Sequence, residues 1–451
     1  MSVFDSKRLP TSIFKLDVER MRAGWYSDKY FYNIVALLAD LARAGYHFGG
    51  TSRDLAPLGL DLSQVEVGNI EVEMQWFTRR KPMSIVVGVD KAIAMLRECT
   101  GYFDEGGRFH NTFEQLEVQA VQDGTVARYD GDPRQVEPVL KVRGRYRDFA
   151  LLETPTLGTL TRGSRIATNV YNVLVAARGK PVLFFPARFD AHEVQAADGY
   201  AYQIAVQLFN RTYAHTLDSF ISTDAQGDWW GGYGGGTVAH AAIASFLGDT
   251  VETMLAFSEY CQVGIPRIAL VDFYNDCVGT TLEVMRALFV RFRELTDANT
   301  PDEAEKYRLY GVRPDTSGSV RDVSLEPLGD PKLDNGVNPR LVFKMRQAMD
   351  RAWQDWGLPL EWHQRAREWC QAVKIVVSGG FTPKKIDLFE QIGTPVDIYA
   401  VGSALFSNSD EAGTVNDYTA DIVRVKVLGE WRDLAKIGRR ACDNPALEPV
   451  K

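Results

Sequence analysis

Cysteine is scarce in this chain, and its few occurrences form no pattern. Five cysteines are spread over 451 residues, an odd number with no Cys-x-x-Cys pair: Cys99, Cys261, Cys277, Cys370 and Cys442. This distribution argues against a disulfide framework and against a zinc knuckle. We therefore expect a chain that works in a reducing cytoplasm.

Long hydrophobic runs, a secretory signal and an excess of positive charge are also lacking. No stretch approaches the roughly 20 apolar residues that cross a bilayer, and the opening MSVFDSKRLPTSIF has no apolar core before a cleavage site. The formal net charge of -8 gives no reason to expect a nucleic-acid surface. These absences predict a soluble protein without a membrane or nucleic-acid partner, and the length suggests two or three domains.

Residues 1–150 mix helical and strand-like patterns. The stretches YFYNIVALLADLARAG and KAIAMLRECTG have apolar residues at helical spacing and end in glycine. Between them, VEVGNIEVEMQWFTRR alternates apolar and polar residues, as a half-buried strand does. We predict an α+β domain here, joined by residues from about 412 to 451, where DIVRVKVLGEWRD returns to strand alternation.

Residues 151–411 follow a different pattern. Short apolar runs such as PVLFFP, RIALVDF, YGVRPD, KIVVSGG and PVDIYAVGS recur, with helical segments between several of them. Strands that alternate with helices are typical of βαβ units and a parallel sheet. We predict an irregular α/β barrel for this region.

Glycine-rich turns follow the last two predicted barrel strands, at Ser378-Gly379-Gly380 and Gly402-Ser403. Phosphate often binds at the loops after the last two strands of such barrels, and glycine lets the backbone approach it closely. The plain alternative is that both are tight turns between a strand and a helix. No P-loop is present.

Two acids and an arginine follow the preceding strands. Asp272 ends RIALVDF, and Arg313 and Asp315 belong to YGVRPD. Carboxylates in this position can hold Mg²⁺, and an arginine beside them suits an anionic substrate. The alternative is that each acid only caps the following helix.

One histidine stands out among the six. In GDWWGGYGGGTVAHAAIASF, a run of glycines leads through Thr237 to His240 and into a stretch of small residues. A histidine at a helix start behind a glycine loop can meet a phosphate group as acid, base or nucleophile. A lone histidine is otherwise more often structural.

Aromatic and basic residues suggest a site for a flat anionic ring. Phe185 and Arg188 follow a buried strand, and Tyr30 lies near Asp28 in SDKYFY. A ring and a guanidinium would hold such a ligand by stacking and ion pairing, although core packing also explains a single aromatic. Arg79, with its neighbour Arg80, is either a solvated basic pair or a phosphate clamp.

Taken in order along the chain, these segments resemble the nicotinate phosphoribosyltransferase family. GGTVAHAAIASF is similar to the family's Gly-Thr-x-Ala-His, and RPDTSG to its Arg-x-Asp-Ser-Gly. The remaining matches are SDKYF, WFTRRKP, LLETPTLGTLTRGSRIATN, FPARF, KIVVSGGFTPKKI and YAVGSALF. FPARF lacks the family's glycine and second arginine, and Gly380 replaces its usual aspartate.

The resemblance implies a type II phosphoribosyltransferase that works as a homodimer with shared active sites. It implies that ATP phosphorylates His240 and that Arg313, Asp315 and Asp272 hold the ribose, pyrophosphate and Mg²⁺. The other implied roles fall to the 5′-phosphate turns at Ser378, Gly379, Gly380, Gly402 and Ser403, and to the ring-binding residues Phe185, Arg188 and the Tyr30 of a second copy. The substrates would be nicotinate, phosphoribosyl pyrophosphate (PRPP) and ATP, in NAD salvage.

The base-selecting stretch, FISTDAQGDWW, leaves two alternatives. If Ser222 and Thr223 face the ring, a carboxylate is accepted; if Asp224 does, nicotinamide is favoured. A sister enzyme acting on nicotinamide or a related base is therefore a competing hypothesis. A catalytically inactive, nucleotide-binding barrel is another competing hypothesis. A metal-dependent lyase is disfavoured, because the chain has two turns of the kind that bind phosphate.

Overall fold

The computed structural model describes residue 5, residues 7–408 and residues 418–450. Their contacts divide the chain into two compact units. The first unit contains Met1–Asn169, Tyr200–Leu208 and Ser407–Lys451, and the second contains Val170–Gly199 and Phe209–Phe406. The predicted domain boundary at 411/412 lies outside the described residues.

The strands fall into one large sheet in each unit and two small antiparallel pairs. In chain order they are β1 Glu71–Thr78, β2 Met83–Ile85, β3 Gly101–Phe103, β4 Phe109–Asn111, β5 Glu117–Ala120, β6 Val126–Arg128, β7 Pro138–Arg145, β8 Val182–Phe184, β9 Phe220–Ile221, β10 Arg267–Leu270, β11 Leu309–Arg313, β12 Lys374–Val377, β13 Ile398–Val401, β14 Tyr418–Val427, β15 Glu430–Asp433 and β16 Glu448–Pro449.

Polar caps and prolines set the start of several helices. Asp276 and Asn338 accept backbone N–H groups at two of them, and Pro383 follows the capping Thr382 at a third. The helices are α1 Val18–Arg22, α2 Lys29–Arg43, α3 Val89–Cys99, α4 Tyr146–Phe149, α5 Glu153–Ala176, α6 Gln195–Tyr213, α7 His240–Ser245, α8 Thr250–Tyr260, α9 Cys277–Asp297, α10 Pro301–Glu305, α11 Pro331–Asp334, α12 Pro339–Arg351, α13 His363–Ala372 and α14 Pro383–Ile392. No helix of the described chain is long and apolar enough to cross a membrane.

The first unit is built on an antiparallel sheet with the order β15-β14-β1-β7-β5-β16. The C-terminal strand β14 pairs along β1, from Val72 opposite Val425 to Thr78 opposite Tyr418. The end of the chain therefore completes the sheet begun by the N-terminal region. Helix α3 packs its buried face into the core of this unit, against residues of β1 and β7.

Strand β1 is buried on both faces, and the expectation of a half-buried strand was wrong. Its polar residues Glu73 and Gln75 are as inaccessible as its apolar ones. The C-terminal tail supplies the reason: Gln75 donates to the carbonyl of Arg440 at 3.0 Å and accepts from the amide of Cys442 at 3.0 Å. Alternation along a strand gives the two faces but does not tell whether a distant segment covers the polar one.

The carboxylate of Glu73, on β1, binds basic side chains of the two neighbouring strands. Its oxygens accept from Arg143 of β7 at 2.6 Å and from Arg424 of β14 at 3.0 Å, and Lys141 lies 3.7 Å away. The side chain is 1% exposed. Because a buried charge is stable only when it is paired, this carboxylate contributes to holding the C-terminal strand in register.

Glu73→Ala should lower the free energy of unfolding by about 3 kcal/mol, since it leaves two arginines and a buried lysine without their shared anion. Glu117→Ala is the matched control: Glu117 contacts the same Arg143 at 3.4 Å but is 71% exposed. The control should unfold like wild type. Urea denaturation followed by circular dichroism measures both variants, and equal midpoints would contradict the structural role given to Glu73.

The second unit contains a parallel sheet with the order β10-β11-β12-β13-β8-β9. No ladder joins β9 to β10 within the described ranges, so the sheet is a curled half-barrel. This architecture, with its separate α+β unit, confirms the predicted fold class. The inner face of the sheet is apolar, with Ile268, Val376, Ile398 and Ala400 in one cluster. All polar candidates of this unit lie beyond or at the carboxyl ends of its strands.

Candidate active site

The carboxyl ends of the parallel strands bring together residues far apart in sequence. Asp272 follows β10, Arg313 is the last residue of β11, Ser378 follows β12 and Gly402 follows β13. Parallel strands share the direction of their ends, which is why ligand sites of α/β folds form there. The turns also provide backbone groups that no ladder uses.

His240 is the first residue of the short helix α7 and faces Asp272. Its Nε2 lies 3.1 Å from each carboxylate oxygen of Asp272. The imidazole is 47% exposed, whereas the carboxylate is 9% exposed. Burial raises the pKa of Asp272, the hydrogen bond from His240 opposes that shift, and the negative charge of Asp315 adds to it. A cation or a protonated imidazole at this place would stabilise the ionised carboxylate.

Arg313 links three segments of the site. Its Nη1 donates to Ser378 Oγ at 3.2 Å, and its Nη2 donates to the carbonyl of Val238 at 3.2 Å. Ser378 Oγ in turn donates to Asp315 Oδ1 at 2.6 Å. Burial lowers the pKa of Arg313, while Asp315 and Asp272 favour its charged form. The guanidinium is thereby held between the glycine-rich loop and the turn after β12.

His240, Asp272 and Asp315 form a cluster with the spacing of metal ligands. One ligand atom from each lies within 4.8 Å of the others. Carboxylate oxygens suit Mg²⁺, which also binds substrate phosphates. This cluster contains both acids that the sequence singled out.

Two glycine turns follow β12 and β13, and the first of them lies beside Asp315. Gly379 and Gly380 have φ of +92° and +66°, a conformation that side chains with a Cβ rarely adopt. Their amides donate to no acceptor in the described part of the chain. Gly402 lies against Phe189, since a Cβ there would be 2.7 Å from its ring, and Ser403 is exposed beside it. The first turn thus presents free N–H groups, the feature that anion sites use.

An apolar cavity of about 240 Å³ opens beside Arg313. Phe185, Ser222, Thr237 and Val376 are among the residues that line it. Its walls are mostly apolar, and Arg313 supplies the positive charge. A cavity of this kind can take a flat ring that carries a negative group.

The three residues of the predicted base-selecting stretch are directed differently. Ser222 lines the cavity, and Thr223 directs its hydroxyl to Gln195 at 2.8 Å. Asp224 instead accepts the amide of Gly234 at 2.9 Å and is exposed. Its carboxylate holds the glycine-rich loop and is not part of the cavity wall.

The remaining predicted residues have the following surroundings within their own units. Arg188 is exposed and its guanidinium lies 5.3 Å from the Phe189 ring. Tyr30 is exposed, donates to Asp28 at 3.1 Å and belongs to the first unit. Arg79, in the same unit, is also exposed. Its neighbour Arg80 is buried and donates to Asn169 at 3.2 Å, so the two arginines are not a solvated pair.

Sequence reasoning missed two residues of the site. Gln226 is buried, and its Oε1 accepts from the amides of Ser222 and Thr223 at 2.9 and 3.2 Å. Lys385 lies beside the turn after β12, where its Nζ donates to the carbonyl of Gly379 at 3.3 Å. The second had a signal, because it is a lysine a few residues beyond a glycine pair; the first had none.

Asp224→Ala should loosen the glycine-rich loop, because the amide of Gly234 loses a charged acceptor. A hydrogen bond to a charged group contributes about 1.5 kcal/mol or more, so amide exchange in residues 231–237 should accelerate about tenfold. Hydrogen–deuterium exchange with mass spectrometry measures this rate. The control is Asp218→Ala, because Asp218 is an exposed acid just before β9, the strand that precedes Asp224. Unchanged exchange in Asp224→Ala would show that the carboxylate does not hold the loop.

Comparison with known proteins relates the sequence to one family. No family model matches the chain. A nicotinate phosphoribosyltransferase of Rattus norvegicus is 25% identical over 308 residues, which cover 64% of this chain and 52% of the relative. The matched region therefore spans about half the length of that protein.

Solved structures share the fold over most of the chain. A nicotinate-nucleotide pyrophosphorylase from Pyrococcus furiosus has a TM-score of 0.60 at 23% identity, covering 96% of this chain and 84% of its own. The human nicotinic acid phosphoribosyltransferase has a TM-score of 0.53 at 16% identity, covering 90% and 75%. The chain is therefore similar in sequence to a nicotinate phosphoribosyltransferase, and it shares the fold of type II phosphoribosyltransferases.

Proposed function

We propose that the protein is a nicotinate phosphoribosyltransferase that uses ATP. It would transfer the phosphoribosyl group of PRPP to nicotinate, giving nicotinate mononucleotide and pyrophosphate, in NAD salvage. The observation that carries this proposal is that His240, Asp272, Arg313 and Asp315 lie close together. Beside them are a turn with unused backbone N–H groups and an apolar cavity. Separate places for a phosphate, a charged leaving group and a flat base are what this reaction needs.

The donor would lie along the carboxyl edge of the sheet. The turns at Ser378, Gly379 and Gly380 and at Gly402 and Ser403 would bind its 5′-phosphate through backbone N–H groups. Arg313 and Asp315 would hold the ribose and the pyrophosphate.

Asp272 and Asp315 would hold Mg²⁺. The fit rests on their spacing and on the raised pKa of Asp272, since a buried carboxylate beside a second one gains from a nearby cation. When bound, Mg²⁺ neutralises charge on the pyrophosphate.

In the transfer, the bond from the anomeric carbon to the pyrophosphate oxygen breaks and a bond to the pyridine nitrogen forms. The electron pair of the broken bond leaves with pyrophosphate. Arg313 is fixed by Ser378 and Val238 before the reaction, so its charge is preorganised where the leaving group develops its own.

His240 would carry the phosphoryl group received from ATP. Because its Nε2 faces the carboxylate of Asp272, Nδ1 keeps its lone pair and is the nucleophile in this arrangement. A phosphorylated His240 would add negative charge beside Arg313 and the glycine-rich loop. As the bond from Nδ1 to the γ-phosphorus forms, the bond from that phosphorus to ADP would break and ADP would leave; water would later release the phosphoryl group as inorganic phosphate. ATP hydrolysis would thereby be coupled to the state of the donor site.

Nicotinate would occupy the apolar cavity, with Phe185 against the ring and Arg313 attracting its carboxylate. Arg188 does not line the cavity, but its charge acts on Arg313, and it is proposed as a second attraction for the carboxylate. Ser222 offers a neutral polar group on the wall, with Thr223 next to it. The engagement of Asp224 by Gly234 supports nicotinate over nicotinamide, because no carboxylate then faces the base. We also propose a homodimer in which Tyr30 of a second copy covers the ring.

The role of His240 is tested by pyrophosphate release from PRPP with Mg²⁺ and nicotinate, with and without ATP. Wild type should be accelerated by ATP, and His240→Ala should lose the acceleration because no phosphohistidine forms. His192→Ala, an exposed histidine of the same unit, is the control and should behave like wild type. ATP acceleration that survives in His240→Ala would contradict the coupling, and no release with any base would favour an inactive barrel.

Base choice is tested at Ser222 and Asp224. Ser222→Asp puts a carboxylate on the cavity wall, so kcat/KM for nicotinate should fall at least about tenfold relative to nicotinamide through like-charge repulsion. Asp224→Ser should leave the preference unchanged. Steady-state kinetics with both bases measure the ratio, and a switch of preference in Asp224→Ser alone would assign selection to Asp224 and move the protein to the nicotinamide enzymes.

A further inference from the structure

Tyr233 is an aromatic residue in the middle of the glycine-rich loop, and it is 85% exposed. In the part of the chain that the structure describes, its side chain takes part in no hydrogen bond, ion pair or ring contact. A single exposed aromatic is common on protein surfaces. Whether this one has a role therefore depends on what lies beside it.

The loop that contains Tyr233 forms one wall of the apolar cavity. Gly235, Gly236 and Thr237 line that cavity, and Tyr233 itself is not among the lining residues. Because consecutive Cα atoms are about 3.8 Å apart, the Cα of Tyr233 lies no more than about 7.6 Å from that of Gly235. The free ring is thus attached directly beside the cavity.

Two glycines of this wall are not required by the conformation of the loop. Gly235 and Gly236 have φ outside the left-handed region. A Cβ at Gly236 would meet nothing within 4 Å, and one at Gly235 would meet nothing closer than 3.8 Å. Residues with side chains would fit both positions, so the glycines are explained by the close approach of a ligand to the backbone.

The backbone beside Tyr233 is anchored while its side chain is free. The amide of Gly234 donates to Asp224 at 2.9 Å, and the amide of Gly235 donates to the carbonyl of Ile221 at 2.7 Å. Exposed side chains change rotamer within nanoseconds. Rotation of the Tyr233 side chain can therefore bring its ring over the cavity without any change in the anchored wall.

We propose that Tyr233 covers the base bound in the apolar cavity by laying its ring against it. This inference rests on the proposed function for the identity of the base, nicotinate. Contact with the base removes apolar surface of both rings from water, and two aromatic rings in contact gain further stabilisation. The cover comes from the chain that forms the cavity, in contrast to the Tyr30 of a second copy.

The test is binding of nicotinate by isothermal titration calorimetry, with the protein alone and with ribose 5-phosphate present. Tyr233→Ala should lower the affinity at least about tenfold, because the ring no longer covers the base. Tyr233→Phe keeps the ring and should bind like wild type. In steady-state kinetics, Tyr233→Ala should raise the KM for nicotinate and leave the KM for PRPP unchanged.

Tyr260→Ala is the matched control and should bind nicotinate like wild type. Tyr260 is 87% exposed in the same unit, but it ends α8 before β10 and so lies at the amino edge of the sheet. Tyr30→Ala is measured in parallel. Circular dichroism melting checks that every variant is folded.

The outcomes separate this inference from the proposed function. Wild-type affinity in Tyr233→Ala overturns the role of Tyr233 and leaves the reaction untouched, and a loss confined to Tyr30→Ala assigns the cover to the second copy. A loss in Tyr233→Ala, when wild type binds nicotinate but releases no pyrophosphate, supports the cover and contradicts the transferase. Failure of wild type to bind nicotinate under either condition overturns the inference.

Discussion

Arg313 is the residue on which the organisation of the candidate site depends. Its two terminal nitrogens contact the carbonyl of Val238, two residues before His240, and the hydroxyl of Ser378, at the turn after β12. It also lines the apolar cavity. One partly buried guanidinium therefore joins the loop before His240, the turn after β12 and the apolar cavity.

Charged side chains of both signs lie around this arginine. Asp272 and Asp315 oppose Arg313 and His240 at short range, while Lys385 stands apart with no carboxylate beside it in the described residues. Binding of a phosphate dianion near Lys385 and of a second, metal-bound pyrophosphate near the acids would satisfy both groups. This arrangement explains why burial can be tolerated at several ionisable side chains of one edge of the sheet.

Much of the site could be predicted because parallel strands end at a common edge. Knowing only that Asp272, Arg313, Ser378 and Gly402 follow successive strands is enough to expect them to be neighbours. Contacts that depend on a covering segment could not be foreseen: Glu73 and Gln75 alternate like surface residues and are buried by β14 and the C-terminal tail.

The direction of side chains within a short loop could not be predicted from the sequence either. Ser222 and Asp224 are two residues apart, and only the bond from Gly234 tells which of them leaves the cavity. Arg79 and Arg80 looked equivalent as a pair, yet one is exposed and the other buried. The hydrogen bond from Lys385 to the carbonyl of Gly379 is likewise a contact with the backbone, which a pattern of residue types does not predict.

The central claim is that this edge of the sheet joins a phosphoribosyl group to nicotinate. Its most direct test is identification of the product: the protein is incubated with PRPP, Mg²⁺, ATP and isotope-labelled nicotinate, and the mixture is separated by chromatography and mass spectrometry. The account predicts labelled nicotinate mononucleotide in amounts equal to the pyrophosphate released, and its loss in Arg313→Met. Labelled nicotinate recovered unchanged, with wild-type protein that binds ribose 5-phosphate, would contradict it.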